Sequence, residues 1–280
     1  MCVIRKEIEM GFVYFIIAIA VVYFAFKASV IIGLIASLAV LIYGVYSYIP
    51  TFWALKGQKA FADADFKGAK KYYKKSLATN RAKLPVKLNC AHALMRTGDY
   101  DEAEEILDEI VRMKYMKKEE MRYSAKQARC MVYYKQGRMD EAMADGMEMY
   151  NDGYKNTSIY GMLGYFKLIM NDDIDEATAF CEEAYEYNSD DRDIMDNLSL
   201  CYYQKGEYKK AQELSDKILE QAPKFVEAYY HGAQIAVKLG NYKKAKELLT
   251  HTDDCRWSTM TTVTHEEIDS LNRMIDRHMS

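Results

Sequence analysis

Two patterns of apolar and polar positions divide the chain. Across residues 11–49 almost every position is apolar or small, and Lys27 carries the only charge. Beyond residue 50, apolar positions recur at helical spacing among charged ones. In Ile268, Leu271, Met274 and Ile275, for example, they trace a single stripe down one helix. Pro50, Pro85 and Pro223 are the only prolines in 280 residues. That scarcity predicts an all-α chain, because proline inside a helix costs about 3 kcal/mol.

As one straight helix, residues 11–49 would run about 58 Å, roughly twice the thickness of a hydrocarbon core. A break at Lys27-Ala28-Ser29 divides the run into segments 10–26 and 30–49, each near spanning length. The first is slightly short, which bilayer thinning or snorkelling absorbs. The break also takes Lys27 out of mid-membrane, where a charge costs roughly 3 kcal/mol. The expectation is a transmembrane helical hairpin over 11–49 with its turn near Lys27, preceded by a cytoplasmic tail, 1–10. Arg5 and Lys6 flank it on one side. Lys56, Lys59, Lys67, Lys70, Lys71, Lys74 and Lys75 follow on the other. The positive-inside rule then puts both ends in the cytoplasm. This predicts a multi-pass protein of the plasma (inner) membrane with a cytoplasmic soluble domain. A single span at 30–49, with 12–26 lying in the interface, is the alternative. A signal peptide fits less well, since the apolar run is too long and no A-x-A-like site precedes a polar start.

The remainder repeats. Short signals recur as GDYDEA (98–103), GRMDEA (137–142), GEYKKA (206–211) and GNYKKA (240–245), with weaker copies ending at Ala69 and Ala177. Their terminal alanines, Ala69, Ala103, Ala142, Ala177, Ala211 and Ala245, are 34, 39, 35, 34 and 34 residues apart. Large residues stand three before each alanine: Phe66, Tyr100, Met139, Ile174, Tyr208 and Tyr242. A period of 34 with this pattern resembles the tetratricopeptide repeat (TPR) family. The resemblance implies two antiparallel helices per repeat, with the alanines where helices cross closely. The fold expected is a right-handed α-solenoid of about six helix pairs over 50–259, closed by a capping helix over 260–280. Thr264 and Glu267 supply a capping box for that last helix. Two departures stand out: extra residues at 114–119, and a turn at Asn171-Asp172-Asp173 that leaves the register of repeat four open by one.

Charge adds an asymmetry. The net charge is -3, yet residues 1–140 carry 23 Lys/Arg against 14 Asp/Glu while residues 141–280 carry 15 against 27. Lysines beside the apolar run fit either anionic headgroups or ordinary solvated helix faces. The acidic distal half disfavours nucleic acid as a partner. Six cysteines without CxxC spacing read as buried thiols in a reducing compartment. No Walker loop, dinucleotide fingerprint, HExxH or GxSxG occurs. His251, Cys255 and His265 make a weak metal set, and Asp190, Asp191, Asp193 and Asp196 read as a helix cap rather than a cation loop. The expectations are no catalysis, no cofactor and no metal, with a small-molecule ligand disfavoured.

The resemblance further implies a concave groove lined by the first helix of each repeat. The positions it selects are His92 and Arg96; Gln127, Met131 and Tyr134; Asp196, Asn197 and Tyr203; and Tyr230 and Gln234. Gln58, Phe61, Asn89, Met95, Lys135, Asp193, Leu200, Gln204, Glu227 and His231 fall on the same faces. Aromatic and methionine anchors among hydrogen-bonding neighbours suit a protein or peptide ligand. The Lys and Arg partners that would make a carboxylate clamp with Asn89 are missing. The function expected is a membrane-anchored scaffold that binds a protein or peptide partner in its groove at the cytoplasmic face. The alternative is an accessory or regulatory subunit of a membrane protein complex, docked through the hairpin.

Overall fold

The computed structural model describes residues 2–113, 119–170, 173–257 and 261–280. Its described residues form α-helices, one short 3-10 turn and connecting loops, with no strand among them. The chain divides into two compact units, residues 1–87 and 88–280.

The first unit holds α1 (Cys2–Ala28), α2 (Val30–Ala62), α3 (Phe66–Leu77) and the start of α4 (Leu84–Thr97). Ser29 alone separates α1 from α2, in an extended conformation, so the chain breaks beside the expected Lys27-Ala28-Ser29 position. The two helices pack together, and the Phe26 ring lies over Gly33, where a side chain would clash with it. Among the described residues one helix, Val30–Ala62, is long and apolar enough to cross a membrane; the apolar stretch Ile16–Ala28 is shorter. The expected boundary at 49/50 falls inside α2, which runs on through Pro50 for 33 residues. A mid-helix proline removes the N–H that would bond the carbonyl four residues back. Here that carbonyl belongs to Tyr46, and it accepts instead from the Arg81 guanidinium, which also stacks on the Tyr46 ring. The Pro50 carbonyl in turn accepts from Ser76 Oγ on α3 at 2.7 Å. These two side chains explain how a continuous helix tolerates its proline.

The second unit continues the pairing: α5 (Tyr100–Val111) after α4, then α6 (Glu119–Lys135) with α7 (Met139–Asn151) and α8 (Thr157–Met170) with α9 (Ile174–Tyr187). Next come α10 (Arg192–Gln204) with α11 (Tyr208–Glu220), and α12 (Val226–Lys238) with α13 (Tyr242–Thr250), before α14 (His265–Met279). The second helices of all six repeats begin at Phe66, Tyr100, Met139, Ile174, Tyr208 and Tyr242, the residues that the repeat singled out. The alanines three positions on are all buried, between 0% and 2% exposed. A methyl is the largest group such close helix crossings admit, and the same holds in miniature at Gly146. There an added Cβ would lie 2.6 Å from Leu163 of the next helix.

One turn is used again and again between the helices of a pair. Gly98, Gly137, Gly206 and Gly240 have φ between +76° and +79°. In each case the glycine N–H bonds a carbonyl three residues back, and the next N–H bonds one five back. This is the Schellman arrangement, which needs a left-handed residue. In repeat one the same two bonds form around Ala64, at φ +59°. An L-residue pays roughly 1 kcal/mol in that region. Ala64→Gly is therefore expected to raise the melting temperature of the full chain, and an unchanged or lower midpoint would contradict this reading of the turn.

At the far end Thr264 and Glu267 form the expected capping box. Ile275 is fully buried, with Ile268 and Leu271 packed beside it on Val226, Tyr230 and Leu249. The segments 114–118 and 171–172, where the repeat spacing departs, lie outside the described residues.

Candidate functional site

The first helices of repeats three to six enclose a cavity of about 680 Å³. Gln127 and Met131 come from α6, and Thr157, Ser158, Gly161, Met162, Tyr165 and Phe166 from α8. Asp191, Asp193, Asp196 and Asn197 come from the start of α10, and Phe225, Glu227 and His231 from α12; Thr262 closes one side. One wall is apolar and aromatic, the other acidic. Helical spacing explains the grouping: Gln127 and Met131 are four apart, as are Gly161 and Tyr165, and Glu227 and His231, so each pair shares a face.

Several of these side chains are held by one another. Asn197 is buried and donates from Nδ2 to the Gly161 carbonyl at 2.7 Å, tying α10 to α8. Gln127 Nε2 donates to Ser158 Oγ, joining α6 to α8. The Asp191 carboxylate caps α10 by accepting from the backbone N–H groups of Asp193 and Ile194, both at 3.1 Å. His231 Nδ1 lies 2.8 Å from Asp196 Oδ2, bridging α12 and α10. Glu227 Oε1 accepts from the Thr262 N–H at 2.8 Å and from its hydroxyl at 3.2 Å. Lys135 Nζ donates to the Thr261 carbonyl at 3.2 Å. Thr261 and Thr262 thus lie against α6 and α12.

The acidic wall is electrostatically loaded. Partial removal from water, and then the charges of Asp191 and Asp196, push the Asp193 carboxyl up to about 6. Burial lowers the His231 value, but the charge and hydrogen bond of Asp196 outweigh it and leave the imidazole above its ordinary value. A histidine raised in the folded state contributes stability that is whole below about pH 6.5 and is lost as pH rises through the folded value. The melting difference between the wild type and Asp196→Asn should therefore be largest below pH 6.5 and shrink toward alkaline pH. A difference independent of pH would show that the pair is not ionic.

Of the residues selected from the sequence, Gln127, Met131, Asp196 and Asn197 line this cavity, as do Asp193, Glu227 and His231. Tyr134 stands behind it, its hydroxyl 3.0 Å from that of Tyr165. Tyr203 packs on Tyr208 with ring centroids 5.7 Å apart. Tyr230 is buried in the core beneath α13 and α14 and accepts a hydrogen bond from Gln234. His92 is half-buried and Arg96 exposed on α4, away from the cavity. The sequence does not single out the α8 residues, because it leaves the register of repeat four open; the run Thr157-Ser158, with Gly161 four residues beyond Thr157, is the signal that marks them once Ile174 is the first residue of α9. Of the weak metal set, His251 stacks on Tyr229 and His265 on Trp257. No group of three His, Cys, Asp or Glu suited to a metal gathers among the described residues.

Residues 60–130 match the tetratricopeptide repeat family model, and residues 170–252 match the model for anaphase-promoting complex, cyclosome, subunit 3. Over residues 60–130 the chain is similar to tetratricopeptide repeats, and its helix pairs share their fold. No curated protein matches it. Among solved structures, a TPR protein from Parabacteroides merdae aligns with a TM-score of 0.67 at 12% identity, covering 92% of this chain and 97% of that one. The pilF protein of Pseudomonas aeruginosa aligns at 0.57 and 14% identity, covering 74% and 91%. The APC/C hetero-tetramer Cut9–Hcn1 aligns at 0.65 and 14% identity, covering 81% of this chain and 42% of that one. At such identities the likeness is one of fold. The repeated alanines and glycines serve the helix crossings and turns of that fold.

Proposed function

We propose that this TPR protein is a membrane-anchored scaffold whose cavity, between the first helices of repeats three to six, binds a segment of a partner protein. The observation that carries the reading is the cavity itself. Four successive repeats turn their first helices toward one concave space, and its walls combine Met131, Tyr165 and Phe225 with hydrogen-bonding groups. Rigid aromatic anchors beside polar neighbours are what peptide recognition uses. The structural neighbour Cut9–Hcn1 is itself a hetero-tetramer, in keeping with a fold that works by holding partners.

The anchor is α2, with α1 beside it. Ile31, Leu34, Ile35, Leu41, Ile42 and Tyr43 are each more than half exposed, an apolar surface of a kind that soluble monomers rarely show. At about 1.5 Å per residue, a helix of 33 residues outruns a bilayer core of about 30 Å. Its last turns therefore stand in water as the first helix of repeat one. The lysines of α3 and the cation–π contacts of Lys56 and Lys75 on Trp53 would then lie at the membrane surface, and such basic flanks support a cytoplasmic side for the repeats. The exposed apolar face of α1 and α2 also favours a second reading, docking on another membrane protein.

Site-directed photocrosslinking in native membranes separates the two. A crosslinker at Gln127 or Ser158 is expected to capture a partner that one at exposed Lys217 does not. Capture only from positions on α2 would move function into the membrane, and no site-specific capture would sink the scaffold reading. Deleting residues 1–49 should release the chain from carbonate-washed membranes. Retention there would contradict the anchor.

A further inference from the structure

We propose that the cavity between α6, α8, α10 and α12 receives an extended segment of its partner that is rich in lysine or arginine. This rests on the cavity being the binding site and adds the chemistry of what enters it.

The first support is charge. Asp191, Asp193, Asp196 and Glu227 all line the space, His231 is their only cationic neighbour in the lining, and no Lys or Arg is among the described lining residues. The Asp193 carboxylate makes no hydrogen bond or ion pair with any described residue. An acidic tail, a terminal carboxylate or a nucleic acid would meet like charge here, which is costly in a partly desolvated site. A cation relieves the repulsion that the three aspartates already bear.

The second support is shape. Lysine and arginine carry long apolar stems behind their charged heads. Met131, Tyr165 and Phe225 offer a surface for such stems within the same space as the carboxylates.

The third support is that the edge of this space already holds polypeptide backbone. Glu227 accepts from the N–H of Thr262, and Lys135 donates to the carbonyl of Thr261. A short stretch of the chain is thereby gripped through both kinds of backbone group at one edge of the cavity. An incoming segment would lie alongside that stretch.

Protonation should tune the site. The groups facing Asp193 are Asp191, Arg192 and Asp196 on its own helix and Glu227 on α12, with His231 reached through Asp196. Partial removal from water, and then the neighbouring carboxylates, raise Asp193 to about 6, so affinity for a cation is expected to fall as pH drops through that value, and Asp193→Asn tests whether Asp193 is the group responsible.

The test uses the full-length chain in uncharged detergent and two short, capped fluorescent peptides. One alternates lysine and leucine; its twin carries glutamate for lysine. Anisotropy titrations are expected to show the lysine peptide binding roughly ten-fold or more tightly than its twin, with an affinity that falls with added salt. Asp193→Asn should weaken it several-fold and remove the loss of affinity near pH 6, and Asp193→Lys should abolish binding. Circular dichroism melts of both variants check that the fold survives. Equal binding of the two peptides, or unchanged affinity in Asp193→Lys, overturns the proposal. If crosslinkers at Gln127 capture a partner while the lysine peptide fails to bind, the charge preference falls and the cavity stands as the binding site. If both fail, the underlying reading falls with it.

Discussion

Replacing Arg129 with alanine should destabilise the central repeats by about 3–5 kcal/mol, the usual cost of breaking a buried ion pair from one side. The guanidinium is 12% exposed and joins two helices that flank its own. Its Nη1 donates to Asp108 Oδ1 of α5 at 2.6 Å, while Nε and Nη2 grip both oxygens of Asp145 on α7 at 2.7 and 2.9 Å. Both carboxylates are less than a fifth exposed. Removing the cation strips Asp145 of its ion pair, while Asp108 keeps the one to Arg112, one turn further on, so the cost falls mainly on the largely buried Asp145. Lys205→Ala provides the contrast. Its partner Asp175 is 78% exposed, and surface pairs contribute about 0–1 kcal/mol. Repeat arrays unfold in parts, so hydrogen exchange across α5–α7 is the measurement of choice, with thermal melting beside it. Protection unchanged in Arg129→Ala would mean that the pairs are replaced by water without penalty.

Phe166→Ala should cost a similar amount, about 3–5 kcal/mol, for a different reason. The ring is fully buried in the core of repeats three to five, beside Met149, Ile159, Leu163 and Phe180. It also touches the cavity from below and meets the Tyr134 ring at 5.6 Å. Truncation removes the transfer energy of a phenyl group and leaves a void that helices stacked on both sides cannot close. Because Tyr165 stands beside it with its hydroxyl fixed by Tyr134, the apolar wall should loosen as well. Accelerated exchange in α8, with crosslinking from Ser158 reduced, is the outcome expected. A melting midpoint within a degree or two of wild type would show that the cavity wall relaxes to fill the space.

Much of this architecture was legible because a helix crossing leaves little choice of residue. Ala103, Ala142, Ala211 and Ala245 had to be small to let helices approach, and Gly98, Gly137, Gly206 and Gly240 had to reach a left-handed conformation. Such demands act on single positions, so they show as spacing. The capping box at Thr264 is equally local, and the structure bears it out. The site was legible only in part. First-helix positions were counted from each repeat's own signal, which works where the signal is strong, as for Gln127, Met131, Asp196 and Asn197. Repeat four lacks a turn glycine in its signal, and the cavity-facing side of α8 was missed with it. Tyr230 illustrates the opposite error. Its helical position suggests the groove, yet α13 and α14 bury it, because whether a first-helix tyrosine faces inward depends on what the next repeat lays against it.

The sequence by itself determined the helices, their order and their close crossings, together with one apolar stretch long enough for a membrane. All of these follow from propensities and steric limits acting within a few residues of each other. Tertiary structure alone decided three other things. It ran the apolar helix on through Pro50 into the first repeat, because Arg81, thirty-five residues beyond Tyr46, gives the Tyr46 carbonyl the donor that proline lacks. It gathered Asp193, Asp196 and Glu227 around one space, although nothing between them in the chain requires it. And it brought Thr261 and Thr262 back to Lys135 and Glu227, a contact made across 126 residues in the first case. Such pairings depend on how successive repeats stack and where the chain returns, and only the folded chain adds those small rotations together.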